Sequence, residues 1–359
     1  MAVISVPVSQ LKAGDQIFDN VMTKRGNLLF EKGRFVTPRE IEILRAFFVP
    51  FVLIETKADA EASEETVQNQ QDELNQVEVP FFDKYENMVK LMRKVFYDAR
   101  NGQTPPVLEI RTQLEAMLQY IDQYNILTFT PKNVRANEYL LHHSIMVSLT
   151  AYQLAKWHNF QQKDWIPIAL AGLLHDIGNV KIDSVILEKK TKLTSAEFEE
   201  VKKHTVLGYQ IIKNMPAINE GVKLAVLQHH EREDGSGYPL SLKGDKIHVY
   251  PKILAIADIF HAMTNERQYR VMTSPYLVLE DLLKESFGKL DPTLVQTFIN
   301  RVTSLQNGTL VRLSDNRLGE IVFSDRDYPT RPWISVNGVI VNLIVERNLF
   351  IKEAIAKFQ

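Results

Sequence analysis

Three apolar stretches of this chain run directly into ionisable side chains or enclose one. These are Ile166–Leu174 before His175–Asp176, Val222–Leu227 before His229–His230, and Ile253–Phe260 around Asp258. Burying a polar or charged group costs several kcal/mol unless a partner compensates it. The chain must therefore fold so that these imidazoles and carboxylates find partners at the ends of packed helices.

The chemistry of these groups favours a metal centre. Imidazole and carboxylate are ligands for Fe, Mn and Zn. The candidates include six of the nine histidines, and they are Glu138, His142, His143, His175, Asp176, His204, His229, His230 and Asp258. A hydrogen-bonded core histidine or a core salt bridge is the alternative for any one of them. Taken together, they indicate a metal-dependent hydrolase.

The adjacent pair His229–His230 adds a geometric condition. Neighbouring residues on a helix diverge by about 100°. Both can ligate only if they address different metals or if the helix ends there.

The bulk composition excludes several classes. With 359 residues, two or three domains are expected. A net charge of −2 argues against a binder of nucleic-acid polymers, and the lack of cysteine excludes disulfides and thiolate metal sites. No apolar run is long enough for a membrane span, and Met1–Pro7 does not look like a signal peptide. These features favour a cytoplasmic protein without membrane contact.

The positions of turn residues and the hydrophobic periodicity predict a multidomain, mainly α protein. A small α+β module is expected at 1–56, where Thr37 and Glu40 predict a capped helix start, followed by an acidic linker at 57–80. Connecting helices are expected at 81–125 and an all-helical core at 126–305. Residues 306–359 alternate apolar and polar positions, which predicts a β-rich appendage closed by a short terminal helix at 347–357.

The motif order resembles a known family. His175–Asp176, a distant His204, the run His229–Pro239 (HHEREDGSGYP) and Asp258 in an apolar helix are together similar to the HD-GYP domain, a branch of the HD phosphohydrolases. The resemblance covers roughly residues 126–305. It implies an all-helical HD-type metallohydrolase core with two or three divalent metals, usually iron or manganese. It also implies hydrolysis of cyclic di-GMP to pGpG and, in many members, to GMP.

The resemblance carries over to individual positions. It implies metal ligation by His175, Asp176, His204, His229, His230 and Asp258, with Asp176 bridging and with His175 and Asp176 as the catalytic pair. A third metal would add a Glu and a His from the preceding helix. Glu138 fits the first, and His143, within His143–Val147, fits the second better than His142, which stands i,i+4 from Glu138.

Substrate contacts are implied as well. Arg267 and Arg270 would grip phosphate, and Gly237 and Tyr238 would form the loop beside the site. One position departs from the family pattern: Asn179 stands where a lysine is usual. Asn179 can hydrogen-bond but brings no charge, and Lys181 is the nearest replacement in sequence.

These observations predict a metal-dependent cyclic di-GMP phosphodiesterase. Two alternatives stay open: a catalytically weak sensor or scaffold that binds cyclic di-GMP, which Asn179 favours, and a phosphodiesterase for another cyclic dinucleotide. A homodimer through the N-terminal module and protein partners in signalling are further expectations.

Overall fold

A computed structural model describes most of the chain. The described residues are 2–8, 10–22, 28–37, 40–41, 44–45, 49–56, 80–131, 134, 138–189, 191–265, 273–304, 308–325 and 327–355. The chain divides into two compact units, one N-terminal up to Glu78 and one spanning Val79–Ala354. Within the described part, no helix is both long and apolar enough to cross a membrane.

The N-terminal unit is built on short antiparallel strands. These are β1 (Ala2–Pro7), β2 (Gln16–Ile17), β3 (Val21–Met22), β4 (Leu28–Phe30) and β5 (Phe51–Thr56). β5 lies between β1 and β2, with Ile4 opposite Ile54, and β3 pairs with β4. Ile17, Leu44 and Val52 are buried in its core. The predicted helix start is confirmed, because Thr37 and Glu40 exchange backbone-to-side-chain hydrogen bonds of 2.6 and 3.3 Å.

The second unit is mainly helical from Pro80 to Val302. Its helices are α1 (Pro80–Arg100), α2 (Val107–Leu118), α3 (Tyr139–Trp157), α4 (Gln162–Leu174), α5 (Ser184–Leu187), α6 (Ser195–Lys202), α7 (His204–Ile212), α8 (Glu220–Gln228), α9 (Val249–Thr264), α10 (Pro275–Glu285) and α11 (Pro292–Val302). Short 3-10 turns occupy Ile121–Gln123, Ile177–Lys181 and Gly244–Lys246. Two helices, α1 and α2, lie in the segment 81–125 where two helices were expected. The expected linker at 57–80 lies outside the described residues, apart from Pro80.

Local sequence fixes where these helices begin. Thr194 and Glu197 form a complete capping box at the start of α6, and the side chain of Asn219 accepts a hydrogen bond from Val222 N at the start of α8. α8 ends at Gln228, so His229 and His230 follow the last helical turn. The helix end that the adjacent histidines require is therefore present.

Two glycines let backbones approach where the site is assembled. A Cβ on Gly172 in α4 would overlap Ser148 in α3, and a Cβ on Gly178 would overlap the carbonyl oxygen of His204. Ser148 Oγ reinforces the first contact by donating to the Ala169 carbonyl at 2.6 Å. These approaches bring α3, the 3-10 turn after Asp176 and the start of α7 close together.

The C-terminal region folds as an antiparallel sheet in the order β10-β6-β7-β8-β9. Its strands are β6 (Leu310–Leu313), β7 (Leu318–Phe323), β8 (Trp333–Val336), β9 (Val339–Asn342) and β10 (Ile351–Ala354). The sheet packs on α10: Tyr276 is buried in its core, and Arg331 binds Glu280 through two contacts of 2.5 and 2.8 Å.

The predicted terminal helix at 347–357 is wrong over its described residues. Ile351–Ala354 forms β10 and pairs antiparallel with β6. Ile351 and Ala354 are both buried in the sheet core although they are three residues apart, because the register shifts between Ile351 and Glu353. Pairing with a distant strand overrides the helical preference of Lys, Glu and Ala in so short a segment.

Candidate metal centre

Three histidines of the site make the same kind of hydrogen bond through Nδ1. The Nδ1 atoms of His175, His204 and His229 lie 2.8, 2.7 and 3.0 Å from the carbonyl oxygens of Gly172, Val201 and Val226. A carbonyl oxygen can only accept, so each Nδ1 carries the hydrogen. In the neutral form of each ring, Nε2 then presents a lone pair. Hydrogen bonds of this kind fix the tautomer and direction of metal-ligating imidazoles.

The Nε2 lone pairs converge on one space. Nε2 of His204 and Nε2 of His229 are 3.2 Å apart, and they lie 3.3 and 3.9 Å from Asp176 Oδ1. Two acceptors at this separation repel each other unless a cation or a proton lies between them. Nε2 of His175 is buried without a hydrogen-bond partner, and its distance of 3.4 Å to Asp176 Oδ2 exceeds that of an ordinary hydrogen bond.

A second carboxylate organises the other side of the cluster. Asp258 Oδ1 lies 3.0 Å from His143 Nε2, and Asp258 Oδ2 lies 3.9 Å from His230 Nδ1. The rings of His143 and His175 are 5.5 Å apart, and those of His229 and His230 are 4.2 Å apart. One connected cluster therefore joins residues from α3, the ends of α4 and α8, the start of α7 and the middle of α9.

The two carboxylates of the cluster need positive charge to balance them. Burial raises the pKa of Asp176 and of Asp258, but the surrounding imidazoles outweigh it and hold both pKa values below their usual range. Burial also opposes the charged form of His175, yet Asp176 and Asp258 raise its pKa to about 9. Burial lowers the pKa of His229 well below its ordinary value and that of His230 to about 3. Two ionised carboxylates thus stand close to His229 and His230, whose neutral rings bring no charge to balance them.

These donors fit metal ions. Among the described residues, three groups have ligand atoms within 4.8 Å of one another: His204, His229 and His230; His143, His175 and Asp258; and His175, Asp176 and His229. The opposed Nε2 atoms and the unpartnered Nε2 of His175 are the lone pairs that a cation would satisfy. Because His175 and His229 each occur in two groups, the cluster could hold more than one ion.

The Gly-Tyr-Pro loop lies against this cluster. The Tyr238 ring packs on His230 at 4.7 Å, and the Tyr238–Pro239 peptide bond is cis. Burial, with a smaller effect from Asp176 and Asp258, raises the pKa of the Tyr238 phenol. The phenol therefore keeps its proton and can donate a hydrogen bond into the site.

A different steric constraint explains each of the two glycines in the loop. Gly235 adopts a φ of +81°, which favours glycine. Gly237 lies so close to the backbone of His230, Glu231 and Arg232 that a Cβ would overlap them. Gly237 therefore holds the loop against the histidine pair through its lack of a side chain.

The structure separates His142 from His143. His143 joins the cluster, whereas His142 faces α1, where its Nδ1 lies 3.0 Å from the Tyr85 hydroxyl. Glu138 is not brought into the cluster either: its Oε1 accepts two hydrogen bonds, of 2.9 and 2.6 Å, from Arg93. The predicted preference for His143 agrees with this geometry, while Glu138 has a different partner.

Comparison with known proteins agrees with the geometry. Residues 123–294 match the HD domain family. The chain is 29% identical over 229 residues to a cyclic di-GMP phosphodiesterase of Pseudomonas aeruginosa, covering 64% of this chain and 55% of that protein. It is 32% identical over 158 residues to 3'3'-cGAMP-specific phosphodiesterase 2 of Vibrio cholerae, covering 44% of this chain and 30% of that protein.

Residues 123–294 thus match the HD domain family, and the run HHEREDGSGYP within them resembles its HD-GYP branch. A solved structure shows the same fold: the HDG"Y"P protein Bd1817 of Bdellovibrio bacteriovorus aligns with a TM-score of 0.51 at 16% identity, covering 83% of this chain and 98% of that one. The chain spans little more than half the length of the Pseudomonas relative that it matches.

Within the region that matches the HD domain, Asn179 is buried in the 3-10 turn that follows Asp176. Lys181 does not replace the missing charge, because its Nζ donates to the Arg100 carbonyl at 2.8 Å, at the end of α1. Arg267 and Arg270 lie outside the described residues.

Two features of the region that matches the HD domain were not predicted. Glu231 is buried, and its two carboxylate oxygens accept hydrogen bonds from Leu240 N and Leu242 N at 2.6 and 2.9 Å. Glu231 therefore holds the segment that follows the Gly-Tyr-Pro loop. Its position inside the motif is the only sequence signal for this role. The second feature is His261, which lies one turn after Asp258. Its Nε2 is 2.7 Å from Thr150 Oγ1. Nothing in its sequence context marks it.

Proposed function

We propose that the protein is a metal-dependent phosphodiesterase that hydrolyses the 3'-5' phosphodiester of cyclic di-GMP to pGpG, with GMP as the product of a second hydrolysis. The observation that supports this most strongly is the opposed pair of Nε2 atoms of His204 and His229 beside Asp176. This arrangement is stable with a cation and repulsive without one. The similarity to cyclic di-GMP phosphodiesterases supports the choice of substrate.

The proposed ligands are the residues that the fold brings together: His143, His175, Asp176, His204, His229, His230 and Asp258. Glu138 is left out because Arg93 occupies its carboxylate. We propose at least two divalent ions, iron or manganese, since nitrogen and oxygen donors suit both. His175 and Asp176 are the central pair because they share contacts with both halves of the cluster.

The chain's own groups have distinct roles in the proposed reaction. Bound metals would neutralise phosphate oxygens and lower the pKa of a water that attacks phosphorus. The hydrogen bonds from each Nδ1 to a backbone carbonyl keep His175, His204 and His229 oriented for ligation. Tyr238 stays protonated and can donate to the substrate, and Gly237 allows it to lie against His230.

The remaining substrate contacts are proposals from the family resemblance. Arg267 and Arg270 would bind phosphate, and Asn179 would offer a hydrogen bond where charge is missing. We further propose the domain plan 1–56, 57–80, 81–125, 126–305 and 306–359, with the first module serving dimerisation or regulation.

The test is product analysis on metal-loaded protein. Purified chain, reconstituted with Fe(II) or Mn(II) and assayed for metal content, is expected to convert cyclic di-GMP to pGpG. Because a relative is specific for 3'3'-cGAMP, that dinucleotide is assayed in parallel. Faster hydrolysis of 3'3'-cGAMP would reassign the substrate. Tight binding of cyclic di-GMP without turnover would make the protein a sensor, and loss of both would end the proposal.

A further inference from the structure

Lys202 lies beside the proposed site but outside the ligand set. It is the last residue of α6, two positions before His204. Its Nζ lies 5.5 Å from the centre of the Tyr238 ring, which packs on His230. Phe198 supports the same ammonium group from 5.0 Å. One aromatic ring therefore separates this cation from the metal-ligating cluster.

Other nearby cations have different engagements. Lys181 donates to the Arg100 carbonyl, and Arg232 donates to the carbonyls of His229 and Glu231. Lys203 pairs with Glu200 and its side chain is 59% exposed, whereas that of Lys202 is 28% exposed. Among the cations named here, Lys202 alone is held against the Tyr238 ring.

The counter-ion of Lys202 can be exchanged. Nζ lies 2.6 Å from Glu199 Oε1, and Glu199 is 66% exposed. An ion pair with so exposed a partner contributes little, so an arriving phosphate can displace the carboxylate at low cost. The aromatic contacts do not compete with a phosphate, because they hold the ammonium through its attraction to the ring face.

The substrate phosphates need a cation from elsewhere because Asn179 stands where the family pattern has a lysine. A cyclic dinucleotide carries two anionic phosphodiesters, and the position after Gly178 offers a neutral amide. We infer that Lys202 binds a phosphate oxygen of the substrate at the Tyr238 side of the site, exchanging Glu199 for that phosphate. This inference rests on the proposed function, since it assigns a further substrate-binding residue to the same site.

Lys202→Gln and Lys203→Gln form a matched pair for the test. Both lysines pair with a glutamate three residues earlier, and only Lys202 contacts Tyr238. In metal-verified enzyme, Lys202→Gln is expected to raise KM for cyclic di-GMP about tenfold, the range of one hydrogen bond to a charged group, with kcat nearly unchanged. It should also weaken the rise of KM with ionic strength. Lys203→Gln should leave KM within about twofold of wild type.

Two further variants keep the inference testable if Lys202→Gln folds poorly. Lys202→Arg retains the charge and should keep KM within about threefold of wild type, while Glu199→Gln should lower KM about twofold. Equal KM values for Lys202→Gln and wild type, or equal increases in both glutamine variants, would overturn the inference. If wild-type protein neither binds nor cleaves a cyclic dinucleotide, the proposed function itself fails, which is a separate outcome.

Discussion

Two groups of buried histidines in the same helical unit use their ring nitrogens differently. In the cluster around Asp176, the Nδ1 atoms of His175, His204 and His229 donate to carbonyl oxygens, and their Nε2 atoms face one another or a carboxylate. In the surrounding core, His142 pairs with the Tyr85 hydroxyl, and His261 pairs with the Thr150 hydroxyl. Burial is nearly complete in both groups, so burial does not distinguish them.

The partner atom makes the difference. A hydroxyl can donate or accept, so it can partner the imidazole nitrogen that it faces in either tautomer, although Nε2 of His142 has no hydrogen-bond partner. A carbonyl only accepts, so it leaves the other nitrogen with a lone pair that needs a donor or a cation. Carbonyl-bonded histidines whose remaining nitrogens converge therefore indicate a metal centre, whereas hydroxyl-bonded ones indicate a structural role. Each experiment below tests this distinction.

The largest effect is expected at the centre of the cluster. Asp176→Ala or His175→Ala should lower turnover at least about a thousandfold, because the ions that activate water and neutralise phosphate lose a ligand. The protein should stay folded, since the hydrophobic core around α3, α4 and α9 is unchanged. Activity, elemental analysis and circular dichroism measure these effects together. A variant that keeps the wild-type rate with verified metal would refute the assignment.

The adjacent pair on α3 provides a matched comparison. His143→Gln should reduce metal content and lower turnover about a hundredfold, because His143 Nε2 faces Asp258. His142→Gln should keep metal and most activity, while stability falls by about 1–3 kcal/mol because the buried Tyr85 hydroxyl loses its partner. Elemental analysis and urea unfolding separate the two outcomes. The reverse pattern would make His142 the ligand and return Glu138, its neighbour at i−4, to consideration.

Sequence predicted the site better than it predicted the partners of individual residues. The ligands flank apolar helices whose packing is dictated by their composition, so their convergence could be predicted. The choice between His142 and His143 depends on Tyr85, 57 residues earlier, and Glu138 is taken by Arg93 across a similar separation. Likewise β10 is a strand because β6 offers it an edge, which its own four residues do not reveal. Long-range pairing decides such cases, and local pattern does not.

Removal of the metal should lower stability only where the cluster is intact. At a free metal concentration about a hundredfold above Kd, binding stabilises the folded state by about 2.7 kcal/mol. A chelator should therefore lower the melting temperature of the wild type by roughly 5–10 °C, at about 2–4 °C per kcal/mol for a unit of this size. Asp176→Ala should show little change. Equal shifts in both proteins would mean that the ion binds elsewhere.

The smallest effect is expected from the pH dependence of the structural group. Burial lowers the pKa of His261 from 6.5 to about 3, so the folded state keeps it neutral while the unfolded state takes up a proton below pH 6.5. Stability contributed by this group is therefore complete above pH 6.5 and is lost as pH falls toward 3, at about 1.4 kcal/mol per pH unit. His261→Gln should flatten the stability profile by that slope between pH 6 and pH 4, measured by urea unfolding of both proteins. Both proteins retain the cluster histidines, so the difference between the two profiles reports His261 together with its coupling to His143 and Asp258. A slope unchanged in His261→Gln would show that burial does not keep His261 neutral in the folded state, and the structural role assigned to this histidine would fail.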